Sequence, residues 1–196
     1  MMTRDSDRQP AGTPRTPASP GTHSHRILAL LTAAALLTTP IAAAGSGDKP
    51  TAMPALQLTS LEGGAVRSQD WLNGRPAVVN LWATWCAPCR TEMPSLQRLA
   101  ALLAPEGIRV LALSVDTDHN LVREFVLKYG ISMPVSIANS PSQAMAALGV
   151  VALPHTLYVG GDGRILGSHL GQRDWADPAV VREVRDRLGT KVPARH

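Results

Sequence analysis

Aromatic residues are scarce in this 196-residue chain, with one phenylalanine, two tyrosines and four tryptophans. So few rings, and no arginine-rich helix, leave little to stack on bases or track a phosphate backbone, which argues against nucleic-acid binding. The net charge of +4 is small, and Arg4, Arg8, Arg15 and Arg26 against Asp5 and Asp7 already account for +2 of it before residue 27. No internal repeat is visible, which sets aside repeat architectures. Cysteine is as scarce as tyrosine: there are two, Cys86 and Cys89. A scaffold held by several disulfides is therefore excluded.

What remains is ordinary for a globular protein: 44% hydrophobic and 17% charged residues, in a length that fits one good domain. The N-terminal stretch is the exception. Residues 1–26 are polar with a basic excess, "ILALLTAAALL" follows, and then comes "TTPIAAAGSG" with Ala42 and Ala44 at small-residue positions. That order describes either a cleaved signal peptide or an N-terminal membrane anchor over 1–44. Either one exports the domain, to a bacterial periplasm or the outer face of the cytoplasmic membrane, where a cysteine pair can be oxidised. Residues 45–54 read as a flexible leader, 55–190 as the folded domain and 191–196 as a frayed tail.

Within the domain, "ALQLTSLEGGAVRSQDWLNGRP" alternates around Gly63 and Gly64 as a small peripheral hairpin. "AVVNLW" (77–82) is a near-continuous apolar run, as expected of a buried central strand. Beyond Ala87, Met93, Leu96, Leu99, Ala100 and Leu103 recur at helical spacing until Pro105 and Gly107. "IRVLALSVD" gives a second buried strand, "NLVREFVLKYG" a helix closed by Gly130, and "MPVSIA" a short third strand. "SPSQAMAALG" reads as a short helix, "HTLYV" and "RILGSHLG" as a hairpin around "GGDG", and "DWADPAVVREVRDRLG" as a closing helix. Alternating strands and helices followed by a hairpin predict an α/β fold with a central mixed sheet flanked by helices.

"WATWCAPCR" places Cys86 where a buried strand gives way to a helix. A thiol there faces unpaired backbone N–H groups and the positive end of the helix dipole, which favour the reactive thiolate. Cys89, three residues on, lies on the same face, able to resolve a mixed disulfide formed by Cys86. Pro88 is tolerated because a first-turn residue has no helical acceptor for the N–H it lacks. A structural disulfide stays open, although so short a loop constrains little chain entropy. A zinc clip also stays open, with only scattered His119, His155, His169 and His196 to complete it. Neither a metal nor an organic cofactor is called for.

"VVNLWATWCAPCRTEMPSL", with "LTSLEGGAV" before it and "LGVVALPHTLYVGGDGRILGSHLG" after it, resembles the exported TlpA/ResA-like branch of thioredoxin-fold thiol:disulfide oxidoreductases, related to CcmG/DsbE. The resemblance implies a thioredoxin-like fold and protein-disulfide reductase activity carried by Cys86 and Cys89. It places a cis-proline at Pro154, lying against the cysteines and presenting backbone to a partner, and gives Glu92 a role in thiol and proton chemistry. Read alone, Glu92 is an exposed helix carboxylate; near a thiol its charge would oppose thiolate formation. Asn80 stands where cytoplasmic thioredoxins carry a buried aspartate. The implied docking surface includes Trp85, Ala87, Pro88, Leu153 and His155. His155 departs from the small hydroxyl residue frequent there, and either tunes the site or points away. Trp82 is read as core.

The implied partners are a client protein with a disulfide, such as an apocytochrome c or a copper-assembly protein, and a membrane thiol electron donor. Two other readings remain: a non-enzymatic binding module, holding an apoprotein or a metal, and a peroxide-reducing thiol enzyme. The latter typically carries Thr-x-x-Cys instead of a tryptophan-led pair.

Overall fold

The computed structural model describes residues 51–189, so the segment expected over 1–44, most of the 45–54 leader and the 191–196 tail lie outside the described residues. In chain order the strands are β1 (Thr51–Ala52), β2 (Gln57–Ser60), β3 (Ala65–Arg67), β4 (Ala77–Trp82), β5 (Arg109–Ser114), β6 (Val135–Ala138), β7 (His155–Val159) and β8 (Arg164–Leu170). The helices are α1 (Ser68–Leu72), α2 (Ala87–Leu103), α3 (His119–Tyr129), α4 (Pro141–Ala147) and α5 (Pro178–Leu188).

Every residue of β4 is buried, as its near-continuous apolar run, broken only by Asn80, leads one to expect of a strand covered on both faces. It lies inside one eight-stranded sheet of order β1-β8-β7-β4-β5-β6-β2-β3. β4, β5 and β6 run parallel, joined through α2 and α3, whereas β7 and β8 form an antiparallel hairpin that pairs back onto β4. The sheet is therefore mixed and flanked by helices, a thioredoxin-like arrangement. Trp82 is wholly buried and packs on Phe125 of α3, with ring centroids 5.0 Å apart.

Local sequence explains the boundaries. Asp118 caps α3 by accepting from Asn120 N–H, and Gly130 ends it at φ 60°, a left-handed conformation that favours glycine. Pro141 opens α4 at its first turn, after Ser140 in extended conformation. Leu103 gives way to a 3₁₀ turn over Ala104–Glu106.

Two expectations are corrected. The end of the 45–54 stretch is part of the fold: β1 pairs with β8, and Met53 is buried with its N–H on Gly163 O at 2.8 Å. β8 would otherwise present an unpaired edge, and Met53 has apolar surface to bury. Likewise only β2 and β3 form the early hairpin, at the outer edge of the sheet. "SQDWL" is instead the short helix α1, burying Ser68, Trp71 and Leu72 at the i, i+3, i+4 spacing of one helical face.

Candidate active site

β4 ends at Trp82 and α2 begins at Ala87, so the intervening turn sets the geometry of the dithiol. Asp116, just past β5, holds that turn. Its carboxylate accepts from Thr84 N–H at 3.0 Å, from the Thr84 hydroxyl at 2.7 Å and from the Ser114 hydroxyl at 2.8 Å. Cys86 is the N-cap of α2, with extended backbone, and its Sγ accepts from Cys89 N–H at 3.3 Å. Sulfur thus occupies the place where a capping oxygen usually sits, among the unpaired N–H groups of the first turn.

The pair is closed as a Cys86–Cys89 disulfide, with Cα atoms 5.3 Å apart. Cys86 retains 6% exposure and Cys89 none, so Cys86 is the sulfur that a partner can reach. Around it Trp85 is 69% exposed, and Ala87 and Pro88 are exposed.

The Leu153–Pro154 peptide is cis, as the resemblance implies. His155 pairs with Leu81, so Pro154, one residue earlier, stands level with the end of β4, at the same end of the sheet as the dithiol. Pro154 has no N–H, and its carbonyl already accepts from Gly171 N–H at 2.9 Å. The backbone immediately before it is that of half-buried Leu153. Nearby in sequence, Val151 is 87% exposed.

Glu92 is 2% exposed, so the reading of it as an exposed carboxylate is overturned. It lies three residues beyond Cys89, on the same buried face of α2. Oε1 accepts from Asn80 Nδ2 at 2.8 Å; Oε2 accepts from Trp175 Nε1 at 2.9 Å and from Arg173 N–H at 3.2 Å. Burial pushes its carboxyl above the ordinary glutamate value, against the opposing pull of the Trp175, Asn80 and Arg173 hydrogen bonds. The Arg173 guanidinium binds Glu183 at 2.8 Å. The three hydrogen-bond donors to Glu92 are thus uncharged, while the Arg173 guanidinium still pulls its pKa down through space.

The register Asn80↔Thr156↔His169 puts three polar side chains on one face of the sheet. Asn80 Nδ2 also donates to Thr156 Oγ1 at 2.9 Å, and the His169 ring meets Trp175 edge-on at 5.7 Å. His155 points to the other face, since strand neighbours alternate. Its pKa is lowered by burial and then by His169, so it is largely neutral at neutral pH. Sequence reasoning missed Asp116, Thr156, Arg173 and Trp175; a tryptophan in an otherwise polar loop before the last helix was the one available signal. Among the described residues no three His, Cys, Asp or Glu side chains converge as a metal cage.

A reachable cap sulfur, a buried partner sulfur and a cis-proline at one end of a thioredoxin-like sheet define a protein of thiol–disulfide exchange. A family model described as Redoxin matches residues 46–184, and the chain belongs to that family. It is similar to the thiol-disulfide oxidoreductase ResA of Bacillus thuringiensis (strain Al Hakam), at 32% identity over 120 residues, 61% of this chain and 68% of that one. Among solved structures, a thiol:disulfide interchange protein of the thioredoxin family from Chlorobium tepidum TLS superposes with TM-score 0.58 at 25% identity, covering 69% of this chain and 97% of that one. A secreted thiol-disulfide isomerase from Corynebacterium glutamicum gives 0.57 at 27% identity, covering 69% and 82%. The protein is a thiol:disulfide oxidoreductase.

Proposed function

We propose that this oxidoreductase works outside the cytoplasm as a reductant of client-protein disulfides, with the haem-site cysteines of an apocytochrome c as its leading client and a copper-assembly protein as the second. The observation that carries the direction is the buried carboxylate of Glu92 one helical turn from Cys89. A negative charge there disfavours thiolate, and a dithiol whose reduced form is less stabilised gives up its electrons more readily.

In the reaction, the Cys86 thiolate attacks one sulfur of the client disulfide and the other client sulfur leaves as a thiolate that takes up a proton. Glu92 then accepts the Cys89 S–H proton. The Cys89 thiolate attacks Cys86 Sγ, the bond from Cys86 to the client breaks, and the client's second thiolate takes up a proton. The client has gained two electrons and Cys86–Cys89 has closed. A membrane thiol donor reopens it. Leu153 offers backbone to the bound client, while Trp85, Ala87 and Pro88 offer surface. No helix of the described residues is long and apolar enough to cross a membrane.

The test is Cys89→Ser in the exporting cell, which strands the client on Cys86. Recovery of an apocytochrome c or copper-assembly protein as a reducible adduct is expected. A Cys89→Ser protein that forms no adduct, together with a Cys86→Ser protein that binds its partner unchanged, would mean a holder and not a reductase.

A further inference from the structure

Asn80 sits in the middle of β4, 1% exposed, and its two amide atoms are served unequally. Nδ2 uses both hydrogens, one on Glu92 Oε1 at 2.8 Å and one on Thr156 Oγ1 at 2.9 Å. Oδ1 is buried and has no hydrogen-bond partner. Buried, unmet amide oxygens are costly, and native cores hold few of them. Ionised Glu92 accounts for the orientation, because a carboxylate only accepts and so requires the NH₂ side of the amide toward it.

A protonated Glu92 reverses that requirement. Oε2 already takes two N–H donors, from Trp175 and Arg173, whereas Oε1 takes only the one from Asn80. Oε1 is therefore where the proton belongs, and the new O–H faces an N–H donor. The acceptor at hand is the idle Oδ1 of the same amide.

We propose that Asn80 is a positioning residue that turns its side-chain amide over whenever Glu92 takes up a proton. Oδ1 then accepts from Glu92 Oε1–H and from the Thr156 hydroxyl, and Nδ2 moves to the place Oδ1 leaves. Each orientation makes two hydrogen bonds; the observed one leaves the Oδ1 acceptor unmet and the turned one leaves the two Nδ2–H donors unmet in its place, so each ionisation state of Glu92 keeps its own bond to the amide. Aspartate at this position could only accept and would add a like charge; leucine could serve neither state. The inference rests on Glu92 as the proton carrier of the exchange reaction. The other titratable or charged groups around it are the two thiols on α2, His169 on β8, Arg173 in the following loop and Glu183 on α5, which pairs with Arg173.

The test follows the oxidised, isotopically labelled wild-type protein by NMR across pH, with the disulfide keeping both thiols from titrating. Above the Glu92 midpoint, a nuclear Overhauser contact between the Asn80 Nδ2 protons and the Thr156 side chain is expected. Below it the contact should vanish, at the same midpoint as the Glu92 carboxyl carbon shift. Glu92→Gln, whose amide donates from the Oε1 position, should lack the contact at every pH. A contact that persists while Glu92 titrates, a Glu92 that never titrates before unfolding, or an unchanged contact in Glu92→Gln overturns the proposal. Client trapping by Cys89→Ser is a separate readout, so loss of either result leaves the other standing.

Discussion

Replacing Glu92 by glutamine should release both thiols toward the thiolate. The side chain keeps its shape and still offers an oxygen to Trp175 and Arg173, so what is removed is the charge. Cys89 lies three residues away on the same helix, where side chains stand about 6 Å apart, and Coulomb's law at an effective dielectric of about 20 gives roughly 3 kcal/mol. Cys86 lies six residues away, a helical rise of about 9 Å, which gives roughly 2 kcal/mol. These are ceilings, since a Glu92 with a raised pKa carries its full charge only at higher pH. At about 1.4 kcal/mol per tenfold, Glu92→Gln should raise the thiol dissociation constant by up to about 100-fold at Cys89 and up to about 20-fold at Cys86. Thiolate ultraviolet absorbance of the reduced proteins against pH measures both. Superimposable curves, or curves displaced to higher pH, would refute the electrostatic account.

The same substitution has a stability signature. A carboxyl with a raised folded pKa costs nothing while it is protonated in both states, below the ordinary glutamate value of 4.5, and destabilises progressively as pH rises through the folded pKa. Glu92→Gln should therefore be more stable than wild type at neutral pH, the gain shrinking toward zero in acid, by denaturant titration at several pH values. Met53→Ala should cost about 2–4 kcal/mol in the same assay, because it empties a buried site; no loss would mean that the chain ahead of β2 is not part of the core. Trp85→Ala should leave stability within about 0.5 kcal/mol, its ring being 69% exposed. Its effect should instead be a raised KM for client reduction, and an unchanged KM would remove Trp85 from the docking surface.

The sequence made the dithiol and its setting plain because they depend on neighbours. The run "AVVNLW" has the composition of a strand covered on both faces, "CAPC" begins where helical spacing begins, and "GGDG" lies between two strand patterns. The resemblance added Pro154, which local pattern alone does not mark. Glu92 looked solvent-facing because the groups that enclose it come from Asn80, Arg173 and Trp175, the last two more than eighty residues away. No periodicity reports such a meeting. Thr51 and Ala52 show no pattern because a two-residue strand is too short for alternation; its pairing partner, β8, makes it a strand. In "SQDWL" three buried positions on one helical turn were masked by the alternation just before them.

The loop after β8 serves two masters. Gly171, at φ 97°, a conformation suited to glycine, fastens the carbonyl of Pro154, and two and four residues later Arg173 and Trp175 grip the carboxylate beneath the sulfurs. The backbone proposed to receive a client and the acid proposed to take the Cys89 proton are thus bolted to one bracket. Lengthening that bracket by a single residue would loosen substrate seating and proton handling together, even though it touches neither cysteine.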